Sequence, residues 1–593
     1  MATATTSDPI TALTASPVKL AVDDDSPHST APIEPLDLDL TDSPKIRTKL
    51  RLYAILLALY VASPPSSISS DTQNTQLTNP VLTQLALFVS ALDQTIVAIS
   101  IPTISADLRS ASGYVWIGGA YLLANAASGP IWAKFSDIWG RKPMLLVAVG
   151  AFSAASVLAA LSTTMTMLIT GRALQGAAGG GLIQLVTITI SDLFSVRKRA
   201  LYLGYIGFVW VLAGSVGPLI GGAFTQFVNW RWCFWINLPI TGTTLILLLL
   251  FLDVHNPRTK FFEGVKAVDW LGTFSILAVT LLLLLGLDFG GAIFPWTSPK
   301  VICLIVFGTM SIGLFLFTER RLAKYPLIPL NVFQSWNNNA TFLVTFFHGM
   351  VLIGMEYYLP LYFQSVKQAS PFRSGLLILP LIITQAVGEI FAGVLIHRTG
   401  RYRETIWAGA VLMTIGTGLY ILFGTDTSVA TIVGLEIFGA LGPSLLFQGP
   451  MVSIQNSVSQ ADTAAATAAL GFIRISAMSL SVVVGGVVFQ NSMNTKQPLL
   501  AAAGLNGTVL DALSGSEAAA NVNIAGFDLD DSQRRVVLDA FAWSMRNMFI
   551  MYTCLAAVAM IASVSIKHRR LNTEHTETKT GIQQLMRRED TKA

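Results

Sequence analysis

Apolar runs long enough to cross a lipid bilayer follow one another along most of the chain. A transmembrane helix needs about 20 predominantly apolar residues. Runs near that length lie at 115–133, 144–162, 167–190, 201–224, 233–252, 270–287, 301–318, 340–363, 376–396, 405–423, 428–449, 465–489 and 546–566. The pattern predicts an all-α polytopic membrane protein.

One further span is expected at the front, where the apolar pattern is interrupted. Residues 51–60 form a run that is too short to cross, and a run of the same style resumes at Leu85. The intervening residues 61–84 are polar and contain prolines such as Pro80, which a lipid-exposed helix does not accommodate at membrane depth. Joining the two apolar runs restores one helix and brings the total to about fourteen spans.

We interpret residues 61–84 as a retained intron in the gene model. The first of them is a valine, whose codons begin with GT, and the last is a glutamine, which CAG encodes. The alternative is a genuine looped or re-entrant insertion, which would break the first helix.

A loop phrase of small and charged residues occurs twice, at 133–142 and at 393–403. In both copies a glycine, Gly140 or Gly400, is followed directly by an arginine. Two related halves around a central site are the architecture of many secondary transporters. The repeat therefore favours a carrier.

The repeat extends from the loops into the spans. Arg172 of the fourth span and Glu436 of the twelfth are separated by the same spacing as Gln184 and Gln448 of those spans. The two halves therefore place opposite charges at matching positions.

Composition supports a membrane location. The chain is 52% hydrophobic and 12% charged, with a mean hydropathy of +0.60, whereas soluble domains average about 25% charged residues. The net charge of +4 is too small to indicate a nucleic-acid partner. Cys233, Cys303 and Cys554 lie in apolar runs without metal-ligand spacing, so we interpret them as packing residues. No signal peptide is expected, and residues 1–50 are predicted to be a disordered cytoplasmic tail.

The distribution of Lys and Arg predicts the orientation, with both termini in the cytoplasm. The predicted organisation is a six-helix bundle at 51–252, an inserted helix pair with cytoplasmic loops at 253–338, the first part of a second bundle at 339–489, an extracellular loop at 490–545, a last helix at 546–566 and a cytoplasmic tail at 567–593. The extracellular loop contains Asn506 in an Asn-Gly-Thr triplet, a candidate glycosylation acceptor.

Ionisable side chains inside the spans are the main functional candidates, because burying them in a bilayer is expensive. They are Asp93, Arg172, Glu356, Glu389, Glu436, Arg474 and His348. A carboxyl group between apolar walls can exchange protons near physiological pH, as a proton-driven carrier requires. For Glu356, near the outer end of its helix, a charge pair that only locks packing is an equally good interpretation. For Asp93 and Arg172, which lie among small residues, we favour function.

The fifth span has an unusual density of glycines around a proline. It carries Gly217, Pro218, Gly221 and Gly222. Pro218 cannot donate a hydrogen bond to the preceding turn, so the helix is expected to bend or loosen there. The flanking glycines offer a flat face to a neighbouring helix.

The first loop phrase is a candidate cytoplasmic gate. Asp137 and Arg141 lie four positions apart at a turn that Gly140 permits, with Lys142 alongside. Charge pairs there can hold the cytoplasmic side closed in one state and release it in another. The simpler interpretation is that basic residues only mark topology; the recurrence of the phrase favours the gate.

Together these phrases resemble the major facilitator superfamily, specifically its fourteen-span drug:proton antiporter branch. The resemblance is carried by 92–102, the loop phrase, the Arg172 phrase and the Gly217-Pro218 phrase, in that order. The segment 230–239 is similar to fungal members that export toxins or secondary metabolites. The likeness covers about residues 45 to 570.

The resemblance implies a major facilitator fold, with two six-helix bundles and two inserted helices, that rocks about a midplane cavity. It also implies a proton-coupled efflux antiporter for toxins, drugs or secondary metabolites, with the proton gradient as energy source and no cofactor or metal. Asp93 would couple protons and Arg172 would transfer them, while Glu389 and Glu436 are the second-half candidates. Pro218 would belong to the antiporter helix.

Other classes fit the sequence less well. A channel needs a ring of filter carbonyls or like charges, and an enzyme needs clustered catalytic side chains, whereas the histidines here are scattered. A proton-coupled uptake or vacuolar carrier for a nutrient or siderophore shares the fold and is the alternative. The expected partners of the monomer are a small amphipathic organic substrate, protons and the lipid bilayer. The expected location is the cell membrane, with the vacuolar membrane as the alternative.

Overall fold

The computed structural model describes residues 71–108, 113–252, 254, 257, 259–290, 294–323, 326–328, 330–369, 371–514, 518 and 529–571. Long helices account for most of this part of the chain. They are α1 Asp71–Asp107, α2 Gly113–Trp139, α3 Arg141–Ala160, α4 Met165–Leu193, α5 Val196–Phe227, α6 Asn237–Phe251, α7 Trp270–Phe289, α8 Pro299–Arg321, α9 Trp336–Ser365, α10 Leu379–Thr399, α11 Tyr402–Leu419, α12 Val429–Ser457, α13 Thr463–Ala502 and α14 Asp531–Val564.

Helix length and hydropathy agree with the predicted membrane topology. Twelve helical segments, those that contain α3 to α14, are long and apolar enough to cross a membrane. Helices α1 and α2 occupy the positions of the two other predicted spans, but neither is among these twelve in the part of the chain that the structure describes; α1 contains only a shorter apolar helix, Thr83–Val97. Short helices at Trp232–Trp235, Phe261–Ala267, Pro371–Leu377 and Gly507–Ala512 lie between them.

The helices pack as two bundles with the same internal pattern. In the first bundle α1 packs on α5, α2 on α4, and α3 on both α4 and α6. In the second, α9 packs on α13, α10 on α12, and α11 on both α12 and α14. Two large buried apolar cores largely follow the two bundles, but the first also includes residues of the second bundle such as Met451, Ile454 and Leu470. The predicted fold of two related six-helix bundles is confirmed.

The inserted pair lies at the edge of this assembly. Helices α7 and α8 pack on each other, and α7 also contacts α2 and α13. Glycines permit the close approach within the pair, since a Cβ on Gly308 would overlap Leu283 of the facing helix.

The bundles meet through two pairs of helices that are equivalent in the repeat. Helix α5 of the first bundle packs on α10 of the second, and α2 packs on α13. These contacts position the sites described below, because α5 touches both the Asp93 region and the second-half acid Glu389.

The predicted extracellular loop at 490–545 is shorter in the structure. Helix α13 continues to Ala502, and α14 begins at Asp531 with a capping box between Asp530 and Gln533. The two extensions contact each other, with Lys496 Nζ 4.3 Å from the centre of the Trp543 ring. Apolar runs report only the part of a helix that faces lipid, so polar turns beyond the bilayer were missed.

Helix α1 includes part of the segment interpreted as a retained intron. The helix begins at Asp71 and runs through Pro80 to Asp107, whereas we expected residues 61–84 to interrupt it. With 37 residues, α1 is longer than the bilayer requires, so its first turns can extend into the cytoplasm. Residues 61–70 lie outside the described residues, as do the predicted tail 1–50 and most of 567–593. The intron therefore stays a prediction.

Candidate functional site

Asp93, the predicted proton-coupling residue, lies on α1 and is fully buried. Its Oδ2 atom accepts a hydrogen bond from Arg172 Nη1 of α4 at 2.5 Å, so the two residues form an ion pair. Arg172 is only 2% exposed. The structure thus joins the two residues that the sequence analysis favoured most, although they are far apart in the chain.

Neutral amides complete the surroundings of the Asp93 carboxylate. Its Oδ1 atom accepts hydrogen bonds from Gln175 Nε2 at 3.2 Å and from Asn237 Nδ2 at 2.7 Å. Both amides also donate to the Ser156 hydroxyl, at 2.8 and 3.3 Å. All three side chains are fully buried, so donors from α4 and α6 hold the carboxylate while Ser156 of α3 holds the donors.

Arg172 has partners that do not depend on the charge of Asp93. Its Nε donates to the Ile117 carbonyl of α2 at 3.1 Å, and Nη1 also donates to Gln175 Oε1 at 2.9 Å. The guanidinium carbon lies 4.4 Å from the centre of the Tyr121 ring, a cation–π distance. These contacts tie the arginine to α2 and to its own helix independently of the bond to Asp93.

The predicted antiporter helix α5 packs directly beside Asp93. A Cβ on Gly217 would overlap the Thr95 hydroxyl, and one on Gly221 would overlap the Ile96 carbonyl, both on α1. The Thr95 hydroxyl also donates to the Ala213 carbonyl of α5 at 2.9 Å. Two of the predicted glycines therefore permit the close approach of α5 to the helix that carries the buried acid.

The other two residues of that phrase have a different position. The space beside Gly222 is open, with no atom within 4 Å of a Cβ placed there. Pro218 lies within helix α5, but its side chain is outside the described residues.

The predicted gate residues form a compact charge cluster at the cytoplasmic end of α3. Arg141 Nη1 contacts Asp137 Oδ1 at 2.7 Å, and Arg141 Nε contacts Asp192 Oδ2 of α4 at 2.6 Å. Gly140 has a φ of 96°, a backbone conformation that glycine adopts readily. Lys142 donates to the carbonyls of Leu249 and Leu252, at 2.9 and 2.7 Å. These contacts hold the first bundle together, and a gating role stays a prediction.

Hydrogen bonds between the two bundles at the cytoplasmic end come from the start of α5. Arg197 donates to the carbonyls of His397 and Arg398, both at 2.6 Å. Arg199 Nη2 donates to Gln460 Oε1 at 3.1 Å. The second copy of the loop phrase, which contains His397, is thus engaged by α5. The cytoplasmic ends of the bundles are in contact in this structure.

The second-half acid Glu389 lies where the bundles meet. Its side chain is 9% exposed, and a Cβ on Gly207 of α5 would overlap its Oε2 atom. Within the described part of the chain, that oxygen has no hydrogen-bond partner. Arg474 of α13 lies near enough for the two charges to interact, but the two do not form an ion pair like that of the first half.

The other second-half acid, Glu436, is enclosed within the second bundle. It is fully buried on α12, and neither carboxylate oxygen has a partner among the residues that the structure describes. Tyr420 lies near enough to interact with the Glu436 charge, and it belongs to an aromatic cluster with Phe423 and Phe549. Glu389 and Glu436 therefore occupy different environments.

Asn506, the candidate glycosylation acceptor, is exposed beyond the outer end of α13. Its Oδ1 atom accepts a hydrogen bond from the Thr508 backbone N–H at 3.3 Å and caps the short helix Gly507–Ala512. Glycosylation stays a prediction. Among the described residues, no cluster of three or more His, Cys, Asp or Glu side chains could hold a metal ion.

Sequence reasoning missed some residues that hold the buried ion pair. Asn237 and Ser156 were not predicted as site residues, although both contact the Asp93 network. A polar amide at the start of an apolar span was the available signal for Asn237, because such a group needs a buried partner. Serine in a span carries no comparable signal.

Residues 85–486 match the family model described as the Major Facilitator Superfamily. The chain belongs to this superfamily. The family assignment agrees with the predicted transporter fold and makes the protein a transporter rather than an enzyme. The match begins at Leu85, the first residue after the segment interpreted as a retained intron.

Curated relatives from fungi match most of the chain. The efflux pump dotC of Dothistroma septosporum is 44% identical over 499 residues, which cover 84% of this chain and 85% of that protein. The MFS-type transporter ppz2 of Metarhizium majus is 42% identical over 497 residues, covering 84% and 86%. These relatives confirm the predicted membership of a fungal efflux branch of the superfamily.

Two solved structures show the same fold. The human organic anion transporter MFSD10 superimposes with a TM-score of 0.52 at 14% identity, covering 81% of this chain and 99% of that chain. The proton:xylose symporter XylE superimposes with a TM-score of 0.53 at 14% identity, covering 87% and 99%.

Proposed function

We propose that this protein is a proton-coupled antiporter that exports small amphipathic organic molecules, such as secondary metabolites or toxins. The fully buried Asp93–Arg172 ion pair carries the proposal. Direction is supported by the relatives, which are named efflux pumps. Proton coupling is supported by the chemistry of the ion pair. The Asp93 carboxylate is paired with Arg172, and other contacts can hold Arg172 in place when the pair is broken.

Proton exchange would start at the ion pair. Protonation of Asp93 removes the negative charge that attracts Arg172, while the Ile117 carbonyl and the Tyr121 ring still hold the guanidinium. Deprotonation restores the pair. The buried position makes both changes energetically large, because charges interact strongly where water is excluded.

The effect would reach the bundle interface through α1 and α5. Thr95, two residues after Asp93, packs on Gly217 and donates to the Ala213 carbonyl. Gly217 and Gly207 both belong to α5, and Gly207 packs on Glu389 of the second bundle. A change in the position of α1 thus has a short route of direct packing contacts to the interface at which the bundles rock.

In the second half, we propose Glu389 and Glu436 as further proton-exchanging groups. Both carry buried carboxylate oxygens without partners in the described structure, and an ionised carboxylate in such a position is costly unless a proton or a hydrogen-bond donor reaches it. We further propose a monomer in the cell membrane, with the cytoplasmic cluster of Asp137, Arg141 and Lys142 acting in gating.

Reconstituted vesicles provide the test. With an imposed proton gradient, the wild-type protein is expected to move an amphipathic dye against its concentration gradient. Asp93→Asn is expected to abolish this accumulation while the protein stays in the membrane. Asp107→Asn is the matched control, because it makes the same change at the exposed outer end of α1. Wild-type accumulation by Asp93→Asn would contradict the proposal.

A further inference from the structure

Polar side chains from both bundles lie near the bundle interface, and some of their buried polar atoms have no hydrogen-bond partner in the described structure. Gln184 of α4, Glu389 of α10 and Arg474 of α13 are 8%, 9% and 7% exposed. Each has a buried polar atom with no partner in the described part of the structure: Nε2 of Gln184, Oε2 of Glu389 and Nε of Arg474. Buried polar atoms are nearly always hydrogen-bonded, so three in one region require an explanation.

The three side chains lie near one another along the interface, with Arg474 between the other two members of the group. Gln184 Oε1 lies against Gly471, one helical turn before Arg474 on α13. Arg474 and Glu389 lie within electrostatic range of each other. Glu389 in turn lies against Gly207 of α5. Helices of the first bundle therefore touch both ends of the group.

The charged and titratable groups next to these three side chains already have interaction partners of their own. Glu356 of α9 lies near enough to interact with both Glu389 and the Gln385 side chain. His348 of α9 faces Arg474, and its Nε2 lies 2.9 Å from the Pro443 carbonyl. The Arg474 guanidinium lies 4.2 Å from the centre of the Phe447 ring and donates from Nη2 to the Phe447 carbonyl at 3.1 Å.

The unsatisfied atoms define the chemistry of a ligand. Gln184 Nε2 and Arg474 Nε are donors and require acceptor oxygens, whereas Glu389 Oε2 requires a donor. A lipophilic cation without acceptor atoms would leave both donors unpaired. An apolar skeleton that carries a carbonyl and a separate hydroxyl can pair with all three, and the Phe447 ring supplies an aromatic wall nearby.

We infer that Gln184, Glu389 and Arg474 form the polar subsite that recognises substrate, and that the substrate class is hydroxylated carbonyl compounds on an apolar or aromatic skeleton. This inference rests on the proposed transport function and names its substrate chemistry. Because the subsite joins helices of both bundles, ligand binding would change the contact at which the bundles move.

Equilibrium binding to the purified protein in lipid nanodiscs tests the subsite without a proton gradient. The probes are 6-hydroxy-2-acetonaphthone, whose hydroxyl is too far from its carbonyl to bond to it, and the corresponding methyl ether, which lacks the hydroxyl donor. The wild-type protein is expected to bind the hydroxyketone about tenfold more tightly than the ether, as the loss of a charge-assisted hydrogen bond predicts. Equal affinities, or no binding of the hydroxyketone, would overturn the inference.

Variants assign the effect to the subsite. Glu389→Gln is expected to reduce the preference for the hydroxyketone over its ether to near unity, and Gln184→Leu to weaken binding of both probes about fivefold. Gly207→Ala keeps all three side chains but displaces the Glu389 carboxylate, so it should also reduce the preference. The matched control is Gln497→Leu, because Gln497 lies on the outer extension of α13 and donates to the Leu513 carbonyl; it should bind like wild type.

Other outcomes separate this inference from the proposed function. Tight binding of tetraphenylphosphonium that is lost in Glu389→Gln would replace the subsite by a cation site and overturn the inference. Selective hydroxyketone binding without gradient-driven transport would leave the subsite standing and contradict the proposed antiport. Gradient-driven dye transport without selective hydroxyketone binding would overturn the inference and leave the proposed antiport standing.

Discussion

The two halves of this transporter repeat the same helix packing but differ in whether their buried acids have hydrogen-bond and ion-pair partners. In the first half, Asp93 is paired with Arg172 and surrounded by amide donors. In the second half, the carboxylate oxygens of Glu436, and Oε2 of Glu389, have no partner in the described structure. The fold therefore supplies equivalent positions in the two halves, while the side chains pair the buried acid of the first half and leave these carboxylate oxygens of the second half unpaired in the described structure.

The largest expected effect follows from this difference in pairing. Breaking a buried ion pair leaves an uncompensated charge and destabilises by about 3–5 kcal/mol, so Arg172→Gln should strongly lower the thermal unfolding midpoint. The double variant Asp93→Asn/Arg172→Gln should recover much of that loss. Glu436→Gln, which removes an acid without a partner, should leave the midpoint unchanged or raise it.

Thermal unfolding of the purified proteins, followed by size-exclusion chromatography, measures these midpoints. A strong loss of stability in Glu436→Gln would show that the second half also depends on charge pairing. The comparison between the halves would then fail.

A smaller effect is expected from the glycines that link the buried ion pair to the interface. Gly221→Ala places a Cβ against the Ile96 carbonyl of α1, and overpacking of this kind costs about 1–3 kcal/mol. Transport should fall with it, since α1 and α5 are forced apart. Gly222→Ala is the matched control because its Cβ enters open space. Transport assays on the two variants should differ; equal activities would exclude this contact as a coupling route.

The cytoplasmic cluster should respond more weakly. Lys142→Ala removes two hydrogen bonds to carbonyls at the end of α6, a favourable position for a cation at a helix C-terminus. A loss of about 1 kcal/mol in stability is expected, with a modest change in transport rate. Lys142→Arg, which keeps the charge, should behave like wild type. A complete loss of transport in Lys142→Ala would make this residue part of the essential machinery.

The smallest effect is expected from the segment at 61–84. If it is a retained intron, the mature transcript lacks it, and deleting it from an expression plasmid should leave transport at wild-type level. The family match begins at Leu85 and does not cover the segment. Sequencing the transcript is the direct measurement. A continuous read that encodes the whole segment would contradict the hypothesis.

Much of the architecture was predictable from the sequence for a simple reason. Bilayer thickness sets a length for apolar runs, and the repeat of the loop phrase indicates two related halves. The same logic predicts that Asp93 and Arg172 matter, because a charge inside a span needs a partner. It cannot identify the neutral groups around the ion pair, because Asn237 and Ser156 lie on other helices whose rotation is set by packing.

The predictions were least informative outside the hydrocarbon. Polar turns extend α13 and α14 into the predicted loop, because helices there are stabilised by capping and by contacts such as Lys496 on Trp543. Similarly, Arg197 and Arg199 entered the sequence analysis only through the overall distribution of Lys and Arg, whereas in the structure their hydrogen bonds join the two bundles. A basic residue in a loop has the same sequence signature in both roles.

The most direct test of the account separates substrate movement from proton drive in one variant. Asp93→Asn in vesicles should still exchange labelled for unlabelled substrate at equal concentrations, because the bundles can still move, but should not accumulate substrate when a proton gradient is imposed. Retained accumulation driven by the gradient would contradict the claim that the buried acid on α1 couples protons to transport.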